Sequence, residues 1–247
     1  MESIRYTNHT ILEKRKSKEK EALETILLKN RIKEKEIIKK KINKLRADFY
    51  IDEYRKKRFN QTIESKKARS QKKFFIPSES KIFFVIRIKG INGLPPQAKK
   101  ILHLFRLDKI NSGVFLKINT STIQMLKKIE TFVAYGYPSK ETIRYLFKKK
   151  AFGKIGKRGS WQKIDLNNDT VIEQALSQYG VTSLEDLIYE ITECGPYFKE
   201  INNFIWPFNL RSPRKGFSKL GKNRSFLERG SYGNWENSIN HLIKKMA

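Results

Sequence analysis

The sequence predicts an α+β fold, a small sandwich of strands and helices with a long helical arm before it and a basic extension after it. Three observations carry this expectation. Between residues 81 and 137 the apolar pattern changes in the order strand, helix, strand, helix, strand, which is the signature of a sheet with helices packed on it. The first 80 residues contain one proline, Pro77, and no glycine, and read almost entirely as Lys, Glu, Ile and Leu. Residues 207–247 hold nine Lys+Arg against two Asp+Glu, with four glycines. The expected organisation is a basic helical arm (1–80), an α+β core with a basic glycine-rich loop (81–160), a helical extension of that core (161–206), and a basic tail with a terminal amphipathic helix (207–247).

The arm is expected to be one helix over 10–73, because nothing in it breaks a helix. Leu28, Ile32, Ile38, Ile42, Leu45 and Phe49 keep helical spacing but make only a thin stripe, too narrow to build a core alone. A solvated charged helix or a coiled coil would read the same way. The excess of 24 Lys+Arg over 12 Asp+Glu in residues 1–80 favours an arm ordered against RNA or another protein. Its basic faces would be Lys39, Lys40 and Lys41, then Arg55, Lys56, Lys57 and Arg58. Pro77 and Ser78 close it.

Residues 81–89 are strongly β-prone and give the first strand. Gly90, Ile91, Asn92 and Gly93 form a hinge, and Pro95-Pro96 open a helix to 107 where missing N–H groups cost nothing. A second strand covers 114–118, and Asn119 or Thr120 caps a helix running to 130. The third strand, 132–137, stops at Pro138; Ser139 then opens a helix with Glu141 in its first turn and a basic run up to Lys150. Residues 169–179 are helical with Gly180 as the stop, Ser183 and Asp186 match a capping box, and Gly195-Pro196 end that helix. Trp235, Ile239, Leu242, Ile243 and Met246 share one face of a final helix.

The chain has 247 residues, with 53 Lys+Arg against 25 Asp+Glu and a formal charge of +28. A self-repelling surface of that size calls for a polyanionic partner. The single cysteine, Cys194, allows no intrachain disulfide and suits a reducing compartment. The first twenty residues lack the apolar centre of a signal peptide, and the longest apolar run, 82–88, is short and interrupted by Arg87, so no membrane partner is expected.

Between residues 144 and 163 there are eight basic side chains and no acidic one, around Gly153, Gly156 and Gly159. Long cations reach phosphates while glycines let backbone amides approach them. Gly156-Lys157-Arg158-Gly159 resembles the GxxG clamp of KH domains, but that clamp needs a helix directly after it and 161–166 reads as a strand. An RNA-contacting loop of another kind is preferred to a solvated one. Phe204 and Trp206 are read as core, whereas Arg211, Arg214 and Lys215 suit RNA, since arginine forks match phosphate. Enzyme signals fail in turn. His9, His103 and His241 lie far apart without metal-ligand spacing, and Asp108, Glu130, Asp165 and Glu190 form no acid–base pair in sequence. Phosphate-binding and dinucleotide glycine motifs are missing, and Cys194 is read as packing. No catalytic residue, metal site or cofactor is expected.

Four blocks now combine: FVIRIKGINGLPPQAKKILHLFRL (84–107), NSGVFLKINTSTIQMLKKIETFVAYGYPS (111–139), KKKAFGKIGKRG (148–159), and the two segments LEDLIYEI and FKEINNFIWPFNLRSPR within 184–214. In this order they resemble the eukaryotic large-subunit ribosomal proteins of the L-seven family, extended relatives of bacterial ribosomal protein L-thirty. The resemblance covers 81–214 and the terminal INHLIKKM. It implies a three-stranded antiparallel sheet flanked by helices, a βαβαβ unit of ferredoxin-like type. It implies a structural, non-catalytic constituent of the large ribosomal subunit that binds rRNA near the 5S rRNA region and adjoins neighbouring large-subunit proteins. Cytoplasmic location with nucleolar passage during assembly follows, and no homo-oligomer is expected.

Positions carried over as rRNA contacts are Arg87, Lys89, Asn92, Lys99, Lys100 and Arg106 in the first block. The later blocks add Lys148, Lys150, Lys154, Lys157, Arg158, Arg211 and Arg214. Arg87 and Lys89 are expected at the strand's end, facing phosphate rather than core. The competing reading is a free RNA- or DNA-binding regulator of nucleolus or chromatin, and an enzyme acting on RNA comes third.

Overall fold

Six consecutive residues, IFFVIR, form strand β1 (Ile82–Arg87), and all six are buried. A run this apolar cannot leave one face in water, so it belongs in the middle of a sheet covered on both sides. Alternate side chains serve the two faces. Ile82, Phe84 and Ile86, followed by Ile88, join one apolar cluster, while Phe83 and Val85 join another.

The computed structural model describes residues 2–76, 80–157, 159–218 and 221–247, with backbone alone for 2–13 and 15. Pro77 and Ser78, expected to close the arm, and Arg158 of the basic loop lie outside the described residues. The chain divides into two units, residues 1–56 and 57–247. From Glu2 onward the first unit belongs wholly to helix α1 (Glu2–Ser70), whose last turn carries Lys67 and Arg69, the sign that a helix C-terminus favours. The side chains of the expected stripe are exposed, from Ile42 at 47 % to Leu45 at 69 %.

In the second unit β1 is followed by α2 (Pro96–Leu104), β2 (Ser112–Lys117), α3 (Thr120–Ile129) and β3 (Val133–Gly136). β2 and β3 flank β1, both antiparallel to it, with Phe84 opposite Phe115 on one side and Gly136 on the other. The backbone N–H of Asn119 donates to Thr122 Oγ1 at 2.9 Å, closing the N-terminus of α3 as its sequence predicts. Helix α4 (Lys140–Lys150) opens on Ser139, whose Oγ accepts from the Thr142 N–H at 3.3 Å. After it come the hairpin β4 (Phe152–Ile155) and β5 (Gln162–Asp165), then α5 (Asp169–Leu176), α6 (Leu184–Glu193), α7 (Phe198–Phe204), β6 (Phe208–Asn209), β7 (Gly233–Glu236) and α8 (Ile239–Met246).

The expected sheet of three antiparallel strands is the centre of a larger, mixed one. Its order is β6-β2-β1-β3-β7, with β6 antiparallel to β2 and β7 parallel to β3. The centre alone would leave two open ladder edges, and segments beyond residue 207 cover both. Gly136, at the β3–β7 junction, has no room for a Cβ, which would strike the Glu236 carbonyl. Gly113 on β2 plays a similar part, since the Phe84 ring lies over it. Phe84 also meets the rings of Phe115 and Phe208 at 4.9 and 5.9 Å, so one aromatic side chain joins β1, β2 and β6.

One face of the sheet is covered by α2 and α3 through Ala98, Leu102, Leu126 and Ile129. The other is covered by the remaining helices of the unit through Ile143, Leu146, Ile172, Leu187, Ile201 and Ile243. The terminal helix docks as expected, with Ile239, Leu242, Ile243 and Met246 buried, but Trp235 belongs to β7, where its ring stacks on Phe226 at 4.2 Å. The predicted glycine-rich loop is instead the β4–β5 hairpin. Gly180 takes the left-handed conformation expected of a helix stop (φ 73°), whereas α6 ends with Cys194 in that role (φ 52°), one residue before Gly195.

Candidate nucleic-acid interface

Arg87 points inward. It is 3 % exposed, and its guanidinium donates to the carbonyls of Lys89 (2.9 Å), Leu107 (2.9 Å) and Asp108 (2.7 Å). The expectation that it faces phosphate is therefore corrected. Its donors are engaged by the loop that follows α2, and they fix that loop to the end of β1. Burial draws its pKa below the ordinary value, with Asp108 opposing. The local sequence gives no hint of this, because two of the three acceptors, Leu107 O and Asp108 O, lie about twenty residues further on.

Arg106 is similarly engaged. It adopts a left-handed backbone (φ 60°) just after α2, and its guanidinium donates to Asn202 O (2.8 Å) and Ile205 O (3.1 Å). These carbonyls end α7, so the arginine acts as a C-terminal cap there. Lys89 is half-buried, 5.3 Å from the Tyr232 ring centroid and 5.8 Å from that of Phe132, and burial lowers its pKa. Lys99 and Lys100 lie exposed on α2, and Asn92 is exposed in the hinge.

Two assemblies of cations emerge, each completed by residues distant in sequence. The first surrounds Tyr145 on α4. Its hydroxyl accepts from Lys149 Nζ at 3.0 Å, and its pKa is lowered, first by that hydrogen bond and further by the charges of Lys149, Arg214 and Lys244. The 211–214 segment is laid along the end of α8 by two backbone bonds, Arg211 N–H to Met246 O (2.8 Å) and Arg214 N–H to Lys245 O (3.1 Å). The basic end of α4, the cations of this segment and the last turn of α8 thereby share one exposed surface. Lys148, Arg211 and Arg214 are all exposed and Lys150 partly so. Lys149, Lys244 and Lys245 were absent from the sequence-predicted set; the paired lysines of the terminal INHLIKKM were the available signal.

The second assembly lies at the β4–β5 hairpin. Lys154 Nζ sits 3.9 Å from the centroid of the Trp161 ring and Lys163 Nζ 3.6 Å from that of Phe152. Lys157 is exposed at the turn. The Trp206 N–H donates to Phe152 O (2.8 Å), and Gly153 bridges to Ile205, so the hairpin is tied to the end of α7. Arg106, Lys154, Trp161 and Trp206 consequently line a single open cleft of about 280 Å³, with Asp108, Lys109 and Asn209 at its border. Burial lowers the Lys154 pKa, and the neighbouring positive charge of Arg106 adds to this. Trp206, expected in the core, is only half-buried and faces this cleft, while Phe204 is buried as predicted.

Groups that could do bond chemistry are poorly placed for it. His103 Nδ1 lies 2.9 Å from Asp108 Oδ1, a pairing the sequence did not suggest, but both side chains are largely exposed. The Cys194 thiol is pushed up to about 11, chiefly by burial, the opposite of an activated nucleophile. Among the described residues no group of three or more His, Cys, Asp or Glu is poised to hold a metal, and no helix is long and apolar enough to cross a membrane.

Residues 83–133, which run from β1 through α2, β2 and α3 to the first residue of β3, match the family described as ribosomal protein L30p/L7e. The large ribosomal subunit protein uL30 of Neurospora crassa is 44 % identical over 96 % of this chain and 94 % of its own length. The chain belongs to the uL30 family. Other uL30 proteins agree: that of Eremothecium gossypii is 45 % identical over 74 % of both chains, and uL30B of Schizosaccharomyces pombe is 44 % identical over 81 % of this chain and 78 % of its own. The two basic assemblies of this uL30 chain come from residues on the C-terminal side of the family's central segment, 145–163 and 206–245, joined by Arg106 from within it.

Proposed function

We propose that this protein is a structural, non-enzymatic constituent of the large ribosomal subunit and holds rRNA against a rigid α+β frame. The observation that carries this reading is the 44 % identity to a large-subunit protein over 96 % of the chain. The charge of +28 supplies the physical means, because each lysine or arginine that neutralises a phosphate releases condensed counterions. The contact set is Asn92, Lys99, Lys100, Lys148, Lys150, Lys154, Lys157, Arg211 and Arg214 on exposed or half-exposed positions, with Lys89 beside them and Arg158 carried over from the sequence. Arg87 and Arg106 act as positioning residues that set the loop after α2.

In this reading the basic arm (1–80) orders on rRNA, the core (81–160) and its helical extension (161–206) fix the geometry, and the basic tail (207–247) adds the contacts around α8. The docking place lies near the 5S rRNA region, beside other large-subunit proteins, and the chain passes through the nucleolus during assembly. Sucrose-gradient sedimentation tests the central claim: the tagged chain should travel with large subunits at low salt and leave them as salt rises. Migration at the top of the gradient at every salt would end it. Retention on chromatin after ribonuclease treatment would point instead to a free DNA-binding regulator. Crosslinks mapped to rRNA test the 5S neighbourhood, and imaging of newly made chain tests nucleolar passage.

A further inference from the structure

The cleft beside the hairpin has a composition unlike the rest of the basic surface. Cations elsewhere stand exposed, suited to phosphates passing over them. Here two indoles, Trp161 and Trp206, together with Ile205 and Pro207, give an apolar lining beside Arg106, Lys109 and Lys154. Trp161 is 42 % exposed, an unusual state for so large an apolar ring, and Lys154 already covers one of its faces. Asp108 also borders the cleft. A carboxylate repels phosphate but accepts hydrogen bonds from amino groups. With Asp108 Oδ1 directed at His103 Nδ1, its second oxygen is the acceptor left for an incoming group.

Apolar plates, nearby cations and an acceptor at the border are the recognition chemistry of a base, not of a sugar–phosphate chain. We propose that this cleft takes one unstacked nucleobase of the bound RNA, laid against Trp161 with an amino-bearing edge turned to Asp108. The proposal rests on the RNA-binding reading above and names the part of the RNA that this site grips. Single-stranded or bulged RNA supplies such a base, whereas a continuous duplex does not. The Lys154–Trp161 stack holds the plate in place before binding, and the Arg106 cap of α7 holds the opposite wall.

The test uses the full chain and three single strands of about eight nucleotides: oligocytidine, oligouridine, and a strand of the same length without bases. At about 50 mM salt the native chain should bind oligocytidine tightest and the abasic strand weakest. Trp161→Ala should lower oligocytidine affinity about tenfold and leave abasic binding unchanged, and Trp161→Phe should recover most of the loss. A Lys99→Ala/Lys100→Ala variant, away from the cleft, should weaken all three strands alike. Equal binding of oligocytidine and the abasic strand by the native chain would overturn the nucleobase assignment while leaving the RNA-binding reading intact. Equal effects of Trp161→Ala on both strands would overturn it as well. Failure to bind any of the three strands would remove the RNA-binding reading beneath it.

Discussion

The two units of this chain use the same apolar residues to opposite ends. In the 57–247 unit, Phe84, Val85 and Ile86 are wholly buried; in the 1–56 unit Leu28, Ile32 and Leu45 are more than half exposed. The difference lies in period and company rather than in hydrophobicity. A strand buries both faces when helices lie above and below it. A lone helix with a thin stripe has no layer to bury against, and its charged neighbours favour water. The sandwich is therefore self-sufficient, while the apolar stripe of the arm has nothing of its own unit to cover it.

Urea denaturation separates the two most sharply. Phe84→Ala removes a ring touching three strands and should destabilise the sandwich by about 3–5 kcal/mol. Leu45→Ala in the arm should change the same midpoint by no more than about 0.5 kcal/mol. A comparable effect of both would mean that the arm shares the core's stability. Arg87→Ala comes next, because it strands buried carbonyls that had charged donors, at about 1–3 kcal/mol for each one left unsatisfied. Arg87→Lys should not restore stability, since an ammonium cannot reproduce the fork that reaches three acceptors.

Smaller effects probe the surface. Lys149→Ala/Arg214→Ala/Lys244→Ala should leave the urea midpoint in place and reduce the salt slope of RNA binding by roughly 0.7–0.9 for each phosphate no longer neutralised. An unchanged slope would show these cations to be merely solvated.

The smallest effect concerns Glu193 in the 57–247 unit, which meets Lys57, Lys81 and Lys140 at 2.9, 3.7 and 3.5 Å. Burial disfavours its charge, but the Lys57 hydrogen bond and the three positive charges outweigh this and hold its pKa below the ordinary 4.5. A depressed carboxyl stabilises the fold above its unfolded value, and that help fades as pH falls through the folded one. Because the lysines are half in water, the gain stays under about 1 kcal/mol. Hydrogen exchange over residues 57–70 should thus quicken in Glu193→Gln at neutral pH, and the difference should close below about pH 4.5. A difference that persists in acid would refute the ion-pair account.

The central strands, the helices between them and the caps at Ser139, Ser183 and Gly180 were legible because each is written in adjacent residues. β6 and β7 were not. Two residues, Phe208 and Asn209, carry no period, and GNWE is too polar and short to announce a strand, so both owe their state to the waiting edges of β2 and β3. Phe152–Ile155 was hidden by Gly153, which is required there because the rings and methyls of Phe204 and Leu166 press against it. At the surface the sequence marked which residues are cationic but not which are free. Arg87 and Arg106 were misjudged because both acceptors of Arg106 and two of the three of Arg87 are carbonyls far along the chain. The Tyr145 surface was only partly foreseen, since Lys149, Arg214 and Lys244 meet only when α8 docks.

The covering of both sheet edges by residues beyond 207 also sets an order in time. When the ribosome making this protein has released residue 136, the three central strands can pair, yet the β2 flank stays open until β6 at 208–209 emerges and the β3 flank until β7 at 233–236 follows, some hundred residues on. At ordinary elongation rates that interval is on the order of 5–20 s. During it the nascent chain presents bare templates for strand addition alongside a free polycation, and the emergence of β7 closes that window.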